Sequence, residues 1–310
     1  MEAKKIINGR GEIGSLMLGT WAIGGRNWGS YNEKESLQAL ESSIDQGITG
    51  IDTSPVYGYG HAEELIGKVM GGRRSGLFLA TKVGLDSKNH FEKNLSRAFL
   101  LEELHGSLKR LRTDYIDLYQ CHWPDRKTPL EETMETLLTF QKEGKIRHIG
   151  LCNFPPDLLF EALQWGEIYG VQEHLSLLEE EKIKNLLPRA VEKDIRVLAY
   201  GTLEGGLLTG KYASLPVFGR KDVRRGFYKF YTEESWPRVE RTVARLRELA
   251  EKHQSTPGAV AIAWALQCKG VTSVIAGARS ETQVIENCSA LDILLSEEEC
   301  RLLASVAGQV

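Results

Sequence analysis

The chain has 310 residues, of which 42% are hydrophobic and 26% charged, with a net charge of −3 at pH 7. That balance is typical of a globular protein with ample core, and it excludes a long-range electrostatic pull toward nucleic acid or an anionic membrane. No apolar run approaches the roughly 18 residues of a membrane-spanning helix. Met1-Glu2-Ala3-Lys4-Lys5 lacks the apolar stretch of a signal peptide, so a cytoplasmic location is expected. The five cysteines (Cys121, Cys152, Cys268, Cys288, Cys300) include no C-x-x-C pair and read as free thiols of a reducing compartment. No set of His, Cys and carboxylate residues has metal-ligand spacing, so no metal is expected.

In chain order, Lys4 to Ile13 reads as a short hairpin suited to cover the bottom of a barrel. Strand-like runs follow at 16–19, 49–52, 77–82, 115–119, 146–151, 169–172, 195–200 and 272–276. Amphipathic helical stretches separate them. Leu37, Leu40 and Ile44 share one helical face, as do Val239, Val243, Leu246 and Ala250. Asn32 with Glu35, Thr128 with Glu131, Ser280 with Gln283 and Ser296 with Glu299 have capping-box spacing. Pro129 and Pro257 suit first helical positions, and Gly47 a helix stop. Alternation of this kind implies parallel strands with helical crossovers, either in an open doubly wound sheet or a closed barrel. Eight units without a composition break favour an α/β fold of the (β/α)₈ TIM-barrel type, one domain over residues 1–310; such barrels need about 250 residues. One irregular stretch, about 211–234, is basic and aromatic, and loops this long are usually functional or mobile.

Four polar residues fall at or after the ends of successive strand-like runs: Asp52, Tyr57, Lys82 and His122. The reactive groups of (β/α)₈ enzymes project from those strand ends. Together the four supply what reduction of a carbonyl by hydride needs. A free tyrosine, with a pKa of about 10, is a poor acid at neutral pH. A lysine ammonium beside it lowers that value, and an aspartate keeps the lysine charged when desolvated. An imidazole orients the carbonyl.

Three motifs carry a resemblance. Gly50-Ile51-Asp52-Thr53-Ser54-Pro55-Val56-Tyr57-Gly58, followed by Glu63-Glu64-Leu65-Ile66-Gly67, resembles a signature of the aldo-keto reductase family. So do Ala80-Thr81-Lys82-Val83-Gly84 and the run from Asp114 to Pro124, over a likeness spanning about residues 4 to 305. The resemblance implies a (β/α)₈ barrel that binds NADPH without a Rossmann domain and reduces aldehydes or ketones. Tyr57 is then the proton donor, Lys82 its acidifier, Asp52 the partner of Lys82 and His122 the carbonyl-orienting group. For the cofactor it implies Gly19, Thr20 and Trp21 at the nicotinamide end, with Asp52 near them. Cys152, Asn153 and Gln172 hold the carboxamide, and Tyr200 stacks on the ring. Gly201, Leu203, Gly206 and Lys211 run beside the pyrophosphate. Gly277, Arg279, Gln283, Glu286 and Asn287 grip the adenosine 2′-phosphate and adenine, where a capped helix start also suits a phosphate. Trp21 and Trp123 wall the substrate pocket beside Tyr57 and His122.

Cys152 replaces a more usual serine, Leu175 a common tyrosine, and Gly201-Thr202 a common Ser-Pro, changes that bear on cofactor affinity and pocket shape. Gly9 to Gly14 matches G-x-G-x-x-G but precedes the first core strand. Gly205 to Lys211 nearly spells a phosphate-binding P-loop, yet Tyr212 stands where a metal-binding Ser or Thr is needed. The runner-up function is a nucleotide-binding regulatory subunit with little turnover, like the family's channel-associated members. A Schiff-base aldolase using Lys82 leaves Tyr57, Asn153 and Gln172 unexplained. The partner expected is a small carbonyl substrate, with no nucleic acid and no membrane; substrate identity and oligomeric state are open.

Overall fold

The computed structural model describes residues 13–308, so the expected hairpin falls largely outside the described residues. Eight parallel strands close into a barrel: β1 (Leu16–Gly19), β2 (Gly50–Asp52), β3 (Phe78–Val83), β4 (Ile116–Cys121), β5 (Ile146–Cys152), β6 (Gly170–His174), β7 (Arg196–Tyr200) and β8 (Ser273–Gly277). Each pairs with its sequence neighbours, and β8 returns to pair with β1. The (β/α)₈ expectation holds, with boundaries shifted by a residue or two. The shifts are largest at β4 and β6, which run on to Cys121 and His174; at β4, Lys82 registers with Gln120 and Gln120 with Gly150.

Two apolar layers follow from the strand period of two. Met17, Phe78, Ala80, Leu118, Leu198 and Ile275 form one cluster, filling the barrel interior. The alternate residues, among them Leu16, Leu18, Leu79 and Tyr119, join the larger cluster with the surrounding helices. The helix Glu33–Asp45 is capped by Asn32, whose Oδ1 accepts from the backbone N–H of Lys34 and Glu35. Ser296 and Glu299 make the full reciprocal box at Glu297–Val306, and Ser280 caps Glu281–Cys288. Thr128 does not cap. Its hydroxyl donates to Asp125 Oδ2 at 2.7 Å, and the helix opens at Leu130 with Pro129 as the flanking residue.

Crossovers differ in ways that shape the barrel mouth. A two-stranded antiparallel ribbon, Leu85–Asp86 with Glu92–Lys93, follows β3. Two long helices, Trp236–Lys252 and Pro257–Gln267, separate β7 from β8, and the irregular stretch precedes them. Among the described residues no helix is long and apolar enough to cross a membrane.

Buried Glu63 ties the helix His61–Met70 to the barrel. It accepts from Thr81 Oγ1 at 2.7 Å and from Arg110 Nε at 2.6 Å, and Thr81 is the residue before Lys82 in sequence. Removing one partner of such a pair strands the other, at a cost of roughly 3–5 kcal/mol for a fully buried pair. Arg110 keeps some solvent contact, so Glu63→Ala is expected to cost about 3 kcal/mol in urea unfolding; a loss within experimental error would show that the clamp is idle.

Candidate active site

The C-terminal strand ends bring the four candidates to one mouth. Register sets Gly19 opposite both Asp52 and Gly277, and Cys152 opposite Gln172. Asp52 and Lys82, at the ends of β2 and β3, are buried and paired: Lys82 Nζ donates to Asp52 Oδ2 at 2.6 Å. The same ammonium donates to Thr53 O at 3.0 Å and Tyr57 Oη at 3.2 Å. The remaining carboxylate oxygen accepts from Gln172 Nε2 at 2.8 Å and Gln120 Nε2 at 3.4 Å. All three lysine protons and both aspartate oxygens are therefore used, which is what a buried charge pair requires.

Tyr57 sits in the turn between β2 and His61–Met70, its N–H bonded to Ser54 O. Its ring stacks on Trp21 at 5.9 Å and stands edge-on to His122 at 6.2 Å. Burial pushes the Tyr57 phenol up to about 12, against the downward pull of Lys82. This corrects the sequence expectation of a phenol more acidic than usual: desolvation outweighs the ammonium. Burial opposes the Lys82 ammonium too, but Asp52 and Tyr57 raise it above its ordinary value, so the cation persists. His122 follows β4, with Ser54 Oγ 3.4 Å from its Nδ1. Loss of water and then the Lys82 charge hold its imidazole well below the ordinary value, so the ring is neutral at pH 7.

These groups border a cavity of about 880 Å³, near the top of the usual range of about 300–1,000 Å³ for ligand sites. Every residue named from the sequence for catalysis, cofactor or substrate lines it, except Lys82, which lies behind Tyr57 and Asp52. The details differ from expectation at four residues. Gln172 gives its amide to Asp52. Asn153, in the left-handed region that asparagine tolerates, accepts from Tyr200 Oη at 2.6 Å and donates to His122 O at 3.0 Å. Arg279 donates through Nη1 to Trp28 O and Ser30 O, and its N–H bonds Gln283 Oε1. Asn287 reaches Gly277 O at 3.3 Å.

The irregular stretch folds over the cavity. Val223 N–H bonds Asn27 O, Arg224 is locked by two hydrogen bonds to Asp222, and Phe227 stands edge-on to Trp21 at 4.7 Å. Val223, Arg224, Phe227 and Tyr228 all border it. Sequence reasoning did not name Ser54, Gln120, Trp28 or Phe227. Gln120 was open to discovery, because β4 alternation places it on the interior side with Leu118; Ser54 and Trp28 lie in loops and Phe227 ends the one-turn helix Arg224–Phe227, too short for a periodic signal.

The cations Lys211, Arg224 and Arg279 border the cavity. Lys211 is partly buried, and burial followed by Arg224 and Arg279 pulls its ammonium down to about 8. A Cβ on Gly206 would lie 2.6 Å from Lys211 Nζ, so glycine there leaves that ammonium its room. Arg279 stands just before the capped helix Glu281–Cys288, whose first N–H groups suit a phosphate. Among the described residues no cluster of His, Cys and carboxylates is arranged to hold a metal.

A model of the Aldo/keto reductase family matches residues 15–307. The aldo-keto reductase YhdN of Bacillus subtilis is 38% identical over 92% of this chain and 87% of its own. The NADH-specific methylglyoxal reductase of Escherichia coli is 33% identical over 98% of both chains. Among solved structures, glycerol dehydrogenase AKR11B4 of Gluconobacter oxydans has 33% identity and a TM-score of 0.88, over 99% of this chain and 95% of that one. An aldo/keto reductase of Klebsiella pneumoniae, in complex with NADP and acetate, has 28% identity and a TM-score of 0.73, over 95% and 91%. The chain belongs to the aldo/keto reductase family, oxidoreductases that act on carbonyl compounds with a nicotinamide cofactor.

A neutral His122 predicts that no imidazole signal lost in His122→Asn titrates between pH 5.5 and 8 in nitrogen-15 spectra. An inflection near 6.5 for that signal would mean that neither burial nor Lys82 governs the ring.

Proposed function

We propose that this chain reduces an aldehyde or ketone to the alcohol, with NADPH as hydride donor and Tyr57 as general acid. The observation that carries the reading is the Asp52–Lys82–Tyr57 chain of hydrogen bonds on the cavity wall, with His122 edge-on to the phenol. When bound, the nicotinamide supplies the hydride. Tyr57, protonated throughout the neutral range, gives its proton to the carbonyl oxygen as negative charge develops there, and Lys82 stabilises the phenolate left behind. Asp52 keeps the ammonium charged and aimed. His122, neutral, offers a hydrogen bond to the same oxygen without competing as an acid. Trp21 and Trp123 give the substrate apolar walls, and Phe227 closes over Trp21 from the irregular stretch.

For the cofactor, Gly19, Thr20, Trp21, Cys152, Asn153, Gln172 and Tyr200 border the nicotinamide half. Gly201, Leu203, Gly206 and Lys211 border the pyrophosphate, and Gly277, Arg279, Gln283, Glu286 and Asn287 the adenosine half. One relative is named as NADH-specific and one structural neighbour holds NADP. Arg279 favours NADPH here: a guanidinium already fixed by two carbonyls gains a charge-assisted contact at little entropic cost.

Tyr57→Phe is expected to lower kcat by on the order of 10²–10⁴ while leaving NADPH affinity within about twofold. Turnover near that of the unsubstituted protein defeats the general-acid role, and a regulatory subunit predicts no phenotype at all. Arg279→Ala is expected to weaken NADPH by about tenfold or more, since hydrogen bonds to charged groups contribute about 1.5–3 kcal/mol. NADH should be nearly unaffected; equal losses for both nucleotides in fluorescence titrations rule out the 2′-phosphate role.

A further inference from the structure

His174, the last residue of β6, is buried and meets three successive parts of the wall that borders the cofactor half of the cavity. Its ring stands edge-on to Tyr200, centroids 5.4 Å apart. A Cβ on Gly201 would lie 2.3 Å from its Cδ2, so only glycine, here at φ +75°, lets the chain pass. Its Nε2 lies 3.3 Å from Glu204 Oε1, which also accepts from Ser176 Oγ. Glu204 is 1% exposed and sits at φ +47°, a left-handed conformation that costs an L-residue of order 1–3 kcal/mol unless its surroundings hold it there. Glu204 opens the tight turn Glu204–Thr209, whose glycines Gly205 and Gly206 line the cavity.

We infer that His174 and Glu204 are positioning residues, a buried clamp that sets the wall from Tyr200 to Gly206 for the dinucleotide, so that cofactor affinity and not the chemical step depends on it. The inference rests on the reading of the cavity as a nicotinamide dinucleotide site. No role in the proposed chemistry uses either residue, yet a buried acid in a strained backbone is retained where the chain turns along the cavity.

The clamp has a pH sign. Glu173 neighbours His174 on β6, and Glu179 Oε2 lies 4.0 Å from its Nδ1. Lys229 of the irregular stretch pairs with Glu179 at 2.8 Å, and Arg238 comes from the helix Trp236–Lys252. Tyr228 faces His174, and Tyr231 Oη donates to the carbonyls of Glu204 and Gly205. Burial first, then Glu179, pushes the Glu204 carboxyl up to about 8, against the pull of Ser176, Lys229 and Arg238. A raised acid is protonated below that value, so Glu204 is neutral at pH 7 and gains its charge as pH rises through about 8. Ionisation places a negative charge at the turn that faces the pyrophosphate.

The test measures the NADPH dissociation constant by nucleotide fluorescence from pH 7 to 9. Lys211→Arg serves as background, because Lys211 also titrates near 8 and faces the same cavity. In that background affinity should fall about five- to tenfold between pH 7 and 9, following the protonated fraction of Glu204. Adding Glu204→Gln should hold the pH 7 affinity across the range, with kcat at saturating NADPH within about twofold. A Glu204→Gln curve that tracks the background, or a loss confined to kcat, overturns the inference. If Glu204→Gln does not fold, Ser176→Ala decides: losing a bond that favours the carboxylate must move the midpoint upward, and an unmoved midpoint overturns the clamp. Failure of the unsubstituted protein to bind NADPH at any pH instead sinks the dinucleotide reading beneath it.

Discussion

A single buried ion pair organises the barrel mouth. Lys82 and Asp52 lie almost without solvent exposure, where the penalty for removing each charge from water is several kcal/mol. Such a pair persists only when its spare hydrogen-bonding capacity is also filled. Here Gln120 and Gln172 complete the aspartate, and Thr53 O and Tyr57 complete the ammonium. Strands β2, β3, β4 and β6 thus converge on one pair of charges, and the position of Tyr57 follows from it. The pair adds little net stability compared with an apolar filling. In the proposed reaction its value lies in holding a permanent cation where a reacting oxygen can be served through one phenol.

The raised Tyr57 phenol is consistent with that purpose. A general acid has to be protonated before the reaction and its conjugate base supported afterwards. Burial secures the first condition at neutral pH; Lys82, 3.2 Å away, secures the second. In the proposed reaction the cation acts on the difference between the two ends of proton transfer, the part of binding energy that lowers a barrier. His122 illustrates the complementary case. In the proposed reaction its loss of charge leaves it a hydrogen-bond donor, with Tyr57 the donor of the proton.

Much of the fold is written in local sequence. Strands alternating with capped helices specify the barrel because periodicity and caps are short-range properties, and the polar residues at strand ends stand out against apolar runs. Gln120 marks the boundary of that legibility: it sits inside a strand, and its role depends on the β3–β4–β5 register, which no single segment encodes. Thr128 shows local competition, since Asp125 takes the hydroxyl that capping spacing assigns to the helix. The direction of the phenol's shift is hidden from sequence for a third reason. It is a balance between desolvation and Coulomb attraction, and burial depth is a property of the whole fold.

The turns after β1 and β7 hold the remaining information, and they are joined. Trp21 stacks on Tyr57, while Trp28 and Ser30, a few residues on, receive Arg279 from the start of the helix after β8. Asn27 receives Val223 of the irregular stretch, and Phe227 of that stretch returns to Trp21. The circuit closes on itself: Tyr57, Trp21, Arg279 and the irregular stretch touch through the segment 21–30 between β1 and its helix. Arg279 reaches Tyr57 through a chain of direct contacts: the Trp28 carbonyl, the Trp28 ring against Trp21 at 5.2 Å, and Trp21 against Tyr57 at 5.9 Å. The proposed phosphate end and the proposed reacting end are thus joined by contact through one segment of this barrel.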